Sequence, residues 1–344
     1  MNAKVETRLL KPTPEALALA AELLRAGELV AFPTETVYGL GANALDPAAV
    51  LKIFAAKNRP ADNPLIVHIA EREQLNGLCE VTPTAENLMD AFWPGPLTLL
   101  LPKTAAVPDA VTAGLVSVGV RMPSHPVARE LLRACALPIA APSANTSTRP
   151  SPTAARHVLE DMDGRIPLIL DGGDCEVGVE STMLDLTGEE PEVLRPGAVT
   201  PEMIAAVAGV CAVADSVMRP LREGETAPSP GMKHRHYAPK GRMTVYRGRP
   251  ERVAERIRRE YDRAENACIL AYREHIPQYG DRRVWELGRD EAGAAHSIFA
   301  LLRRADEQGI SRILAEGVRD EGVGLALMNR MARAAAFDIV EAED

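Results

Sequence analysis

A proline- and glycine-rich segment constrains the fold of this chain most, because it divides the sequence into two stretches. The sequence PSPGMKHRHYAPKG, residues 228–241, holds three prolines and two glycines, a composition that favours extended and turning backbone. We therefore predict a first domain over residues 1–210, a linker over 211–240 and a second domain over 241–344. The total of 344 residues is enough for about two domains.

Short apolar segments alternate with helical patterns on both sides of this linker. Proline after a capping residue, as at Thr13–Pro14 and Asp46–Pro47, signals the start of a helix. In the first domain the pattern predicts strands at 29–32, 65–69, 97–101, 117–122, 138–141 and 168–170, and helices at 13–26, 46–57, 125–135 and 153–161. In the second it predicts strands at 243–246, 267–271 and 312–315, and helices at 250–262, 291–308 and 322–335. We therefore expect an α/β protein, with a mixed sheet and flanking helices followed by a smaller, Rossmann-like parallel sheet.

Charge and cysteine content argue against several classes of protein. Residues 1–210 carry 16 basic and 26 acidic side chains, and the whole chain has a net charge of −9, whereas nucleic-acid binders usually show a basic balance. The five cysteines are widely spaced without a Cys-x-x-Cys pair, so neither a zinc site nor a disulfide framework is indicated. The first residues, MNAKVETRLL, lack an apolar leader, and no apolar run of 18 residues occurs. A cytoplasmic location is the simplest expectation.

Two motifs early in the first domain are candidates for ligand binding. FPTETVYGLG, residues 32–41, places two threonines and two glycines after a strand, where hydroxyls and close backbone can hold a small polar ligand. KNRPADNPLIVH, residues 57–68, begins with Lys57 and Arg59, a pair of cations suited to an anion. The alternatives are a capped strand–turn for the first motif, a solvated helix end for the basic pair, and a core histidine for His68.

Three later motifs have the same ambiguity. SVGVRM, residues 117–122, puts Ser117, Gly119 and Arg121 on one strand face, which lines a cleft or, as an edge strand, faces water. PIAAPSANTSTRPS, residues 138–151, runs from a strand into a hydroxyl-rich loop that forms either an anion cradle or a simple turn. GVEST, residues 178–182, and LRPG, residues 194–197, place Ser181 and Arg195 at strand ends, where either residue is functional or structural.

In their order along the chain, these motifs resemble a known family. FPTETVYGLG, KNRP with NPLIVH, SVGVRMPSHP, APSAN, and GVESTMLDL with LRPG are similar to the YrdC-like domain. The segment SPGMKHRHYAP and the α/β stretch after it resemble the longer, two-domain form, the threonylcarbamoyl-AMP synthases. The resemblance covers residues 8–344, and it implies a YrdC-like twisted mixed sheet with a C-terminal Rossmann-like domain.

The resemblance also implies roles for individual residues. For L-threonine, it implies contacts with Thr36, His68, Arg121, the Ala141 backbone and Ser181, with Thr34 and Tyr38 as near neighbours of Thr36. For ATP, it implies contacts with Arg59, Asn63, Ser117, Ser143, Ser151, Arg195 and the linker residue Tyr237. As catalytic residues, it implies Lys57, Arg59, Ser143 and Asn145.

The reaction that the resemblance implies joins L-threonine, bicarbonate and ATP into threonylcarbamoyl-AMP, with release of pyrophosphate and water. The product would pass to a separate transferase that forms N6-threonylcarbamoyladenosine in tRNA. Mg²⁺ is expected to arrive bound to ATP, without a dedicated metal site on the protein. Because no pair of acidic residues indicates a general base, positioning and electrostatics are expected to dominate catalysis. Tyr237, with its flanking glycine and prolines, is a candidate lid.

Two other functions remain as alternatives at this stage. An RNA-binding module is disfavoured by the acidic first domain. A carbamoyl-transfer domain of a maturation protein is disfavoured because the chain lacks zinc-finger cysteines. In the second domain, Gly317–Gly324 (GVRDEGVG) resembles the dinucleotide-binding motif Gly-x-Gly-x-x-Gly only weakly. For this domain, a regulatory or lid-anchoring role is therefore preferred to dinucleotide binding.

Overall fold

The computed structural model describes residues 5–219 and 237–342 and contains two sheets. The strands of the first sheet are β1 (Arg8–Leu10), β2 (Val30–Phe32), β3 (Gly39–Asn43), β4 (Ile66–His68), β5 (Leu97–Pro102), β6 (Ser117–Arg121), β7 (Ile139–Ala140), β8 (Leu168–Leu170), β9 (Thr182–Asp185), β10 (Glu192–Arg195) and β11 (Ala212–Val213). Their order is β1-β8-β2-β3-β7-β4-β6-β5-β9-β10-β11. Parallel and antiparallel pairs occur together, as expected for a mixed sheet.

Five of the seven described helices of the first domain begin after a residue whose side chain caps the helix. The seven are α1 (Pro14–Arg25), α2 (Pro47–Lys57), α3 (Pro83–Phe92), α4 (Asp109–Thr112), α5 (Pro126–Cys135), α6 (Ala155–Met162) and α7 (Pro201–Ala208), and the two without such a cap are α4 and α6. Thr13 accepts a hydrogen bond from the Ala16 N–H, and Asp46 accepts one from the Ala48 N–H. Because proline at the first position has no N–H to satisfy, this arrangement starts a helix at little cost.

The second sheet is wholly parallel among its described strands. These are β12 (Arg242–Gly248), β13 (Ala267–Tyr272), β14 (Val284–Gly288), β15 (Arg312–Glu316) and β16 (Ile339–Ala342), in the order β14-β13-β15-β12-β16. Helices α8 (Pro250–Tyr261), α9 (Glu291–Glu307) and α10 (Gly322–Ala334) connect them. The predicted Rossmann-like parallel α/β domain is therefore confirmed, as is the mixed sheet of the first domain.

The two sheets are joined by buried contacts. Val37 and Val179 from the first domain lie in the same apolar core as the second sheet. Arg303 on α9 is fully buried, and its guanidinium lies 2.9 Å from the Asp161 carboxylate on α6. Gly178 packs so closely on α9 that a Cβ there would lie 2.4 Å from the His296 Cα. This junction fixes the second domain against the loops that follow the first sheet's strands.

The structure also corrects the sequence expectations. The edge-strand alternative for residues 117–122 is wrong, because β6 lies between β4 and β5 in the sheet interior. Ser181 does not start a strand but directly precedes β9, whereas Arg195 does end β10. The patterns missed strands β1, β3, β11, β14 and β16 and helices α3, α4 and α7, and β11 lies within the predicted linker. None of the helices in the described part of the chain has the length and apolar character of a membrane-spanning segment. Of the predicted linker, residues 220–236, which include His234 and His236, lie outside the described residues, and Tyr237 lies within them.

Candidate active site

A small cavity forms where several strands of the first sheet end. Its free space is about 50 Å³. The first domain contributes Thr34, Thr36, Val37, Gly39, Arg59, Ile66, His68, Arg121, Ala141, Pro142, Ser143, Glu180, Ser181 and Arg195, and the end of the linker contributes Tyr237. Five motifs distant in sequence thus meet at one site.

The residues after β2 form a rigid polar corner with Arg121. The Thr34 and Thr36 hydroxyls lie 2.9 Å apart, and the Thr34 hydroxyl also lies 2.6 Å from the Val37 carbonyl. Arg121 donates to the Thr36 hydroxyl at 3.0 Å and pairs with the Glu35 carboxylate at 2.7 Å. Although burial opposes ionisation, Arg121 lowers the pKa of the Glu35 carboxyl below its ordinary value. Arg121 is therefore held in place as a cation, and the Glu35 carboxylate offsets part of its charge.

His68 is held next to this cation in its neutral form. Parallel pairing of β4 with β6 places His68 opposite Arg121. The His68 Nδ1 lies 3.2 Å from the Ile66 carbonyl, so Nδ1 is assigned the proton and Nε2 is left as an acceptor. Burial, reinforced by the Arg121 charge, lowers the pKa of His68 to about 3. The imidazole thus offers an acceptor to a ligand across the physiological pH range.

Ser181 and Arg195 form the opposite wall. The Ser181 hydroxyl lies 2.8 Å from the Thr98 hydroxyl, and the Arg195 guanidinium donates to the Ser181 carbonyl at 3.0 and 3.1 Å. Gly197 makes this arrangement possible, because a Cβ there would lie 2.4 Å from the Thr182 nitrogen. Arg195 is 7% exposed, so its charge acts in a weakly screened environment.

The loop after β7 is tied down by Lys57. The Lys57 ammonium donates to the carbonyls of Ser143 and Asn145, the latter at 2.6 Å, and it is 2% exposed. Burial, together with Arg59, lowers the pKa of Lys57 well below its ordinary value. The solvated-helix-end alternative is therefore wrong for Lys57. Ser143 reaches the cavity and donates to the Asn145 side chain at 2.6 Å.

The side chains of Arg59 and Asn63 each contain buried atoms without a hydrogen-bond partner among the described residues. The Arg59 guanidinium donates to the carbonyls of Asn63 and Pro64 at 3.1 and 3.2 Å, while its Nε has no partner among the described residues. Asn63 is 1% exposed, and neither atom of its amide is paired within the described chain. A buried unpaired amide is costly, so this pattern is typical of a place where a ligand completes the hydrogen bonds.

Tyr237 closes the cavity from the side of the second domain. Its ring packs on Phe299 of α9 with 4.9 Å between ring centroids, and the Arg330 guanidinium of α10 lies 5.8 Å from its ring centre. Tyr237 is 3% exposed and has a backbone φ of 60°. The end of the linker therefore lies against both domains at the cavity.

The structure brings most of the predicted site residues together, but not all. Thr36, Arg59, His68, Arg121, Ala141, Ser143, Ser181, Arg195 and Tyr237 line the cavity, whereas Lys57, Asn63, Ser117, Asn145 and Ser151 do not. Ser117 lies at the far end of β6 from Arg121. The Ala141 N–H already donates to the Ile66 carbonyl at 2.9 Å, which leaves only its carbonyl for a ligand. Tyr38 turns away and donates to the Gly173 carbonyl at 2.7 Å.

Sequence reasoning missed three residues that shape this site. Glu180 lies inside the GVEST motif, next to the predicted residue Ser181, and it also lines the cavity. Thr98 supports Ser181, and Arg330 reaches Glu180 from the second domain at 2.8 Å. Because these contacts join positions up to 150 residues apart, spacing within a motif could not reveal them.

The charges that line the cavity favour anionic ligands. Arg59, Arg121 and Arg195 line it, and Glu180 is the one carboxylate among its described lining residues. No group of three or more histidine, cysteine or acidic side chains suited to a metal ion occurs in residues 5–219 and 237–342. Arg121 beside the threonine hydroxyls suits a carboxylate, and Arg59 with Arg195 suits phosphates.

Comparison with known proteins identifies the family. A model described as "Telomere recombination", for the Sua5, YciO and YrdC proteins, matches residues 22–197, and the model "Threonylcarbamoyl-AMP synthase, C-terminal domain" matches residues 199–336. The threonylcarbamoyl-AMP synthase of Pyrococcus abyssi is 47% identical over 94% of this chain and 95% of its own length. The chain belongs to the threonylcarbamoyl-AMP synthase family. The family resemblance of the motifs is thereby confirmed.

Other members of the threonylcarbamoyl-AMP synthase family agree in sequence and fold. The Bacillus subtilis enzyme is 47% identical over 94% of both chains. The crystal structure of P. abyssi Sua5 complexed with L-threonine superposes with a TM-score of 0.90 at 44% identity, covering 98% of this chain and 99% of that one. Both domains of the present chain thus have counterparts in one solved family member.

Proposed function

We propose that this enzyme is a nucleotidyltransferase that forms threonylcarbamoyl-AMP from L-threonine, bicarbonate and ATP. The observation that carries the proposal is one cavity lined by three arginines and a neutral histidine, which we divide into two cationic subsites. Arg121 with the threonine hydroxyls and neutral His68 forms the first, and Arg59 with Arg195 forms the second. In support, P. abyssi Sua5 is a relative whose structure contains L-threonine.

In this proposal the first subsite holds the amino acid. Arg121 binds the threonine carboxylate, and the hydroxyls of Thr36 and Ser181 take its polar atoms. The His68 Nε2 accepts a hydrogen bond from the substrate amine, which favours the amine's position next to bicarbonate. The neutral amine and bicarbonate then give a carbamate and one water. Neutral His68 serves this step better than an imidazolium, because a second cation would repel the ammonium form of the substrate.

The second subsite holds the nucleotide. The carbamate oxygen attacks the α-phosphorus of ATP, and the bond from that phosphorus to the pyrophosphate oxygen breaks. Arg59 and Arg195 stabilise the charge that builds on the phosphoryl oxygens, and Ser143 with Asn63 orients the nucleotide. Lys57 acts by holding the Ser143–Asn145 backbone. Ser117 and Ser151 stay predicted ATP contacts, and Asn145 stays a predicted catalytic residue.

Magnesium enters this proposal with ATP. The two carboxylates nearest the cavity, Glu35 and Glu180, are already paired with Arg121 and Arg330 at 2.7 and 2.8 Å, so the donor set fits a nucleotide-bound ion better than a protein-held one. When bound, the ion supplies charge neutralisation at the phosphates. We further propose that the product passes to a tRNA threonylcarbamoyl transferase in the cytoplasm, and that the chain holds no RNA stably.

The deciding experiment is pyrophosphate release from ATP, measured with and without L-threonine and bicarbonate. We expect release to require both, and mass spectrometry to detect threonylcarbamoyl-AMP. Pyrophosphate release that is independent of threonine would refute the proposed function.

Tyr237 is the proposed lid. The free space of about 50 Å³ is small beside the roughly 300–1,000 Å³ of ordinary ligand pockets, which supports a wall that moves when the substrates enter. We expect Tyr237→Ala to lower the yields of threonylcarbamoyl-AMP and pyrophosphate together, because carbamate that decomposes when water enters never reacts with ATP. Tyr237→Phe, which keeps the ring on Phe299, is the matched variant and should retain both yields. Unchanged yield in Tyr237→Ala would exclude a lid role.

A further inference from the structure

A buried charge relay runs from the second domain into the nucleotide side of the cavity. Arg330 on α10 is fully buried, and its Nε lies 2.8 Å from the Glu180 carboxylate. The other oxygen of that carboxylate accepts a hydrogen bond from the Ser151 hydroxyl at 2.5 Å. Glu180 itself lines the cavity. The chain Arg330–Glu180–Ser151 therefore links α10 to a residue predicted to contact ATP.

We propose that Arg330 is a positioning residue of the enzyme, which neutralises Glu180 and thereby makes the cavity able to accept the phosphates of ATP. This inference rests on the proposed function. It assigns the second domain a direct part in nucleotide binding, through a residue that touches neither substrate.

Charge explains why Glu180 needs a partner. Among the described lining residues it is the one carboxylate, and it lies next in sequence to Ser181, to which Arg195 is bonded. An uncompensated carboxylate here would repel the phosphates and attract the Arg195 guanidinium away from them. Although burial opposes ionisation, Arg330 and then Arg195 lower the pKa of Glu180. The carboxylate therefore stays charged, and Arg330 is the residue that offsets it most.

Geometry explains why the partner is an arginine. Besides Glu180, the Arg330 guanidinium donates to the Pro196 carbonyl at 2.9 Å, the Glu180 carbonyl at 3.2 Å and the Asn329 side chain at 2.9 Å. A planar fork with five N–H groups satisfies these acceptors together, whereas a lysine ammonium has three. The same guanidinium thus fixes both the Glu180 side chain and the turn after Arg195.

The test compares Arg330→Ala with Arg333→Ala. Arg333 lies one turn further along α10 and also crosses the junction, donating to the Ser216 carbonyl at 3.1 Å, but it makes no contact with Glu180. We expect Arg330→Ala to raise the KM for ATP about tenfold or more, since removing one member of a buried pair leaves the other charge uncompensated. The KM for L-threonine should change less than about threefold, and Arg333→Ala should leave the ratio of the two KM values unchanged.

A second substitution separates charge compensation from support of the fold. In the Arg330→Ala background, Glu180→Gln removes the stranded charge and should recover at least about threefold of the lost ATP affinity. Arg330→Gln serves if Arg330→Ala does not fold, with the same expected rescue. Parallel rises in both KM values, or no rescue by Glu180→Gln, would overturn the positioning role.

Calorimetric binding of a non-hydrolysable ATP analogue measures the effect of Arg330 on nucleotide affinity without product formation. Equal affinities in wild type and variant refute the relay, whereas threonine-independent pyrophosphate release in wild type refutes the proposed function.

Discussion

Two buried histidines should make this fold sensitive to mild acid. His68 and His157 are 3% and 2% exposed, and burial lowers the pKa of each to about 3. Neighbouring arginines add to the effect, Arg121 at His68 and Arg303 at His157. In the unfolded chain a histidine has its ordinary pKa of about 6.5. Below that pH both histidines bind protons in the unfolded chain but stay neutral in the folded chain, so the free energy of unfolding must fall.

The magnitude follows from the pKa difference. Each pH unit below 6.5 costs about 1.4 kcal/mol per histidine, so each contributes a loss of about 2 kcal/mol at pH 5. The loss continues down to pH 3 and stops there, because both states are then protonated. Above pH 6.5 the two residues add no pH dependence. For both histidines the expected loss between pH 7.5 and pH 5 is about 4 kcal/mol, a large share of a typical total stability.

Urea unfolding of wild type, His157→Asn and His68→Asn at pH 7.5 and 5 measures this effect. Asparagine keeps a polar atom near Nδ1, which accepts from the Thr153 N–H in His157 at 3.3 Å. Each variant should lose about 2 kcal/mol less than wild type over this pH range. As an independent check, the ring proton of His68 in NMR spectra should not titrate between pH 5 and 8. Equal pH dependence in wild type and both variants would refute the reasoning.

Three further predictions concern binding and packing. Arg121→Lys should raise the KM for L-threonine about tenfold or more without a comparable change for ATP, because an ammonium lacks the planar fork that forms two parallel hydrogen bonds with a carboxylate; steady-state kinetics measures both, and equal changes would contradict the assignment. Gly197→Ala should lower the free energy of unfolding by about 1–3 kcal/mol, because the added Cβ would lie 2.4 Å from the Thr182 nitrogen. Gly77→Ala is the control, since an added Cβ there would meet nothing within 4 Å. Arg303→Ala should lower the free energy of unfolding by about 1–3 kcal/mol, because the buried Pro150 carbonyl loses its hydrogen bond from Arg303 while the Asp161 carboxylate keeps its ion pair with Arg149; urea unfolding measures the loss, and an unchanged free energy of unfolding would contradict this reading.

The sequence predicted the α/β class and most regular elements because these depend on local rules. A capping residue followed by proline located α1 and α2, and the same signal at Thr82–Pro83 and Thr200–Pro201 marks α3 and α7, which could have been found. Strand β3 could not, because GLGAN is glycine-rich and is held by pairing with β2 and β7. Strand β16 likewise depends on its pairing with β12. Tertiary partners decide such segments, and local propensity does not.

The same division holds at the site. Residues inside ordered motifs, such as Thr36, Arg121 and Arg195, were found from sequence and meet in the cavity. Glu180 was within reach because it lies in GVEST, although its partner Arg330 was not. The burial of Lys57 under the Ser143–Asn145 backbone also escaped sequence reasoning, because a lysine at a helix end is ordinarily exposed.

The shared core at the domain junction has a consequence for fragments of this protein. Val37 follows directly after Thr36, and it packs with Val179, Tyr237 and the apolar residues of the second sheet. Removing either half would expose the apolar residues that the other half covers at the junction. Co-expressed fragments of residues 1–219 and 237–344 should therefore reassociate without a covalent link, because association covers this apolar surface again.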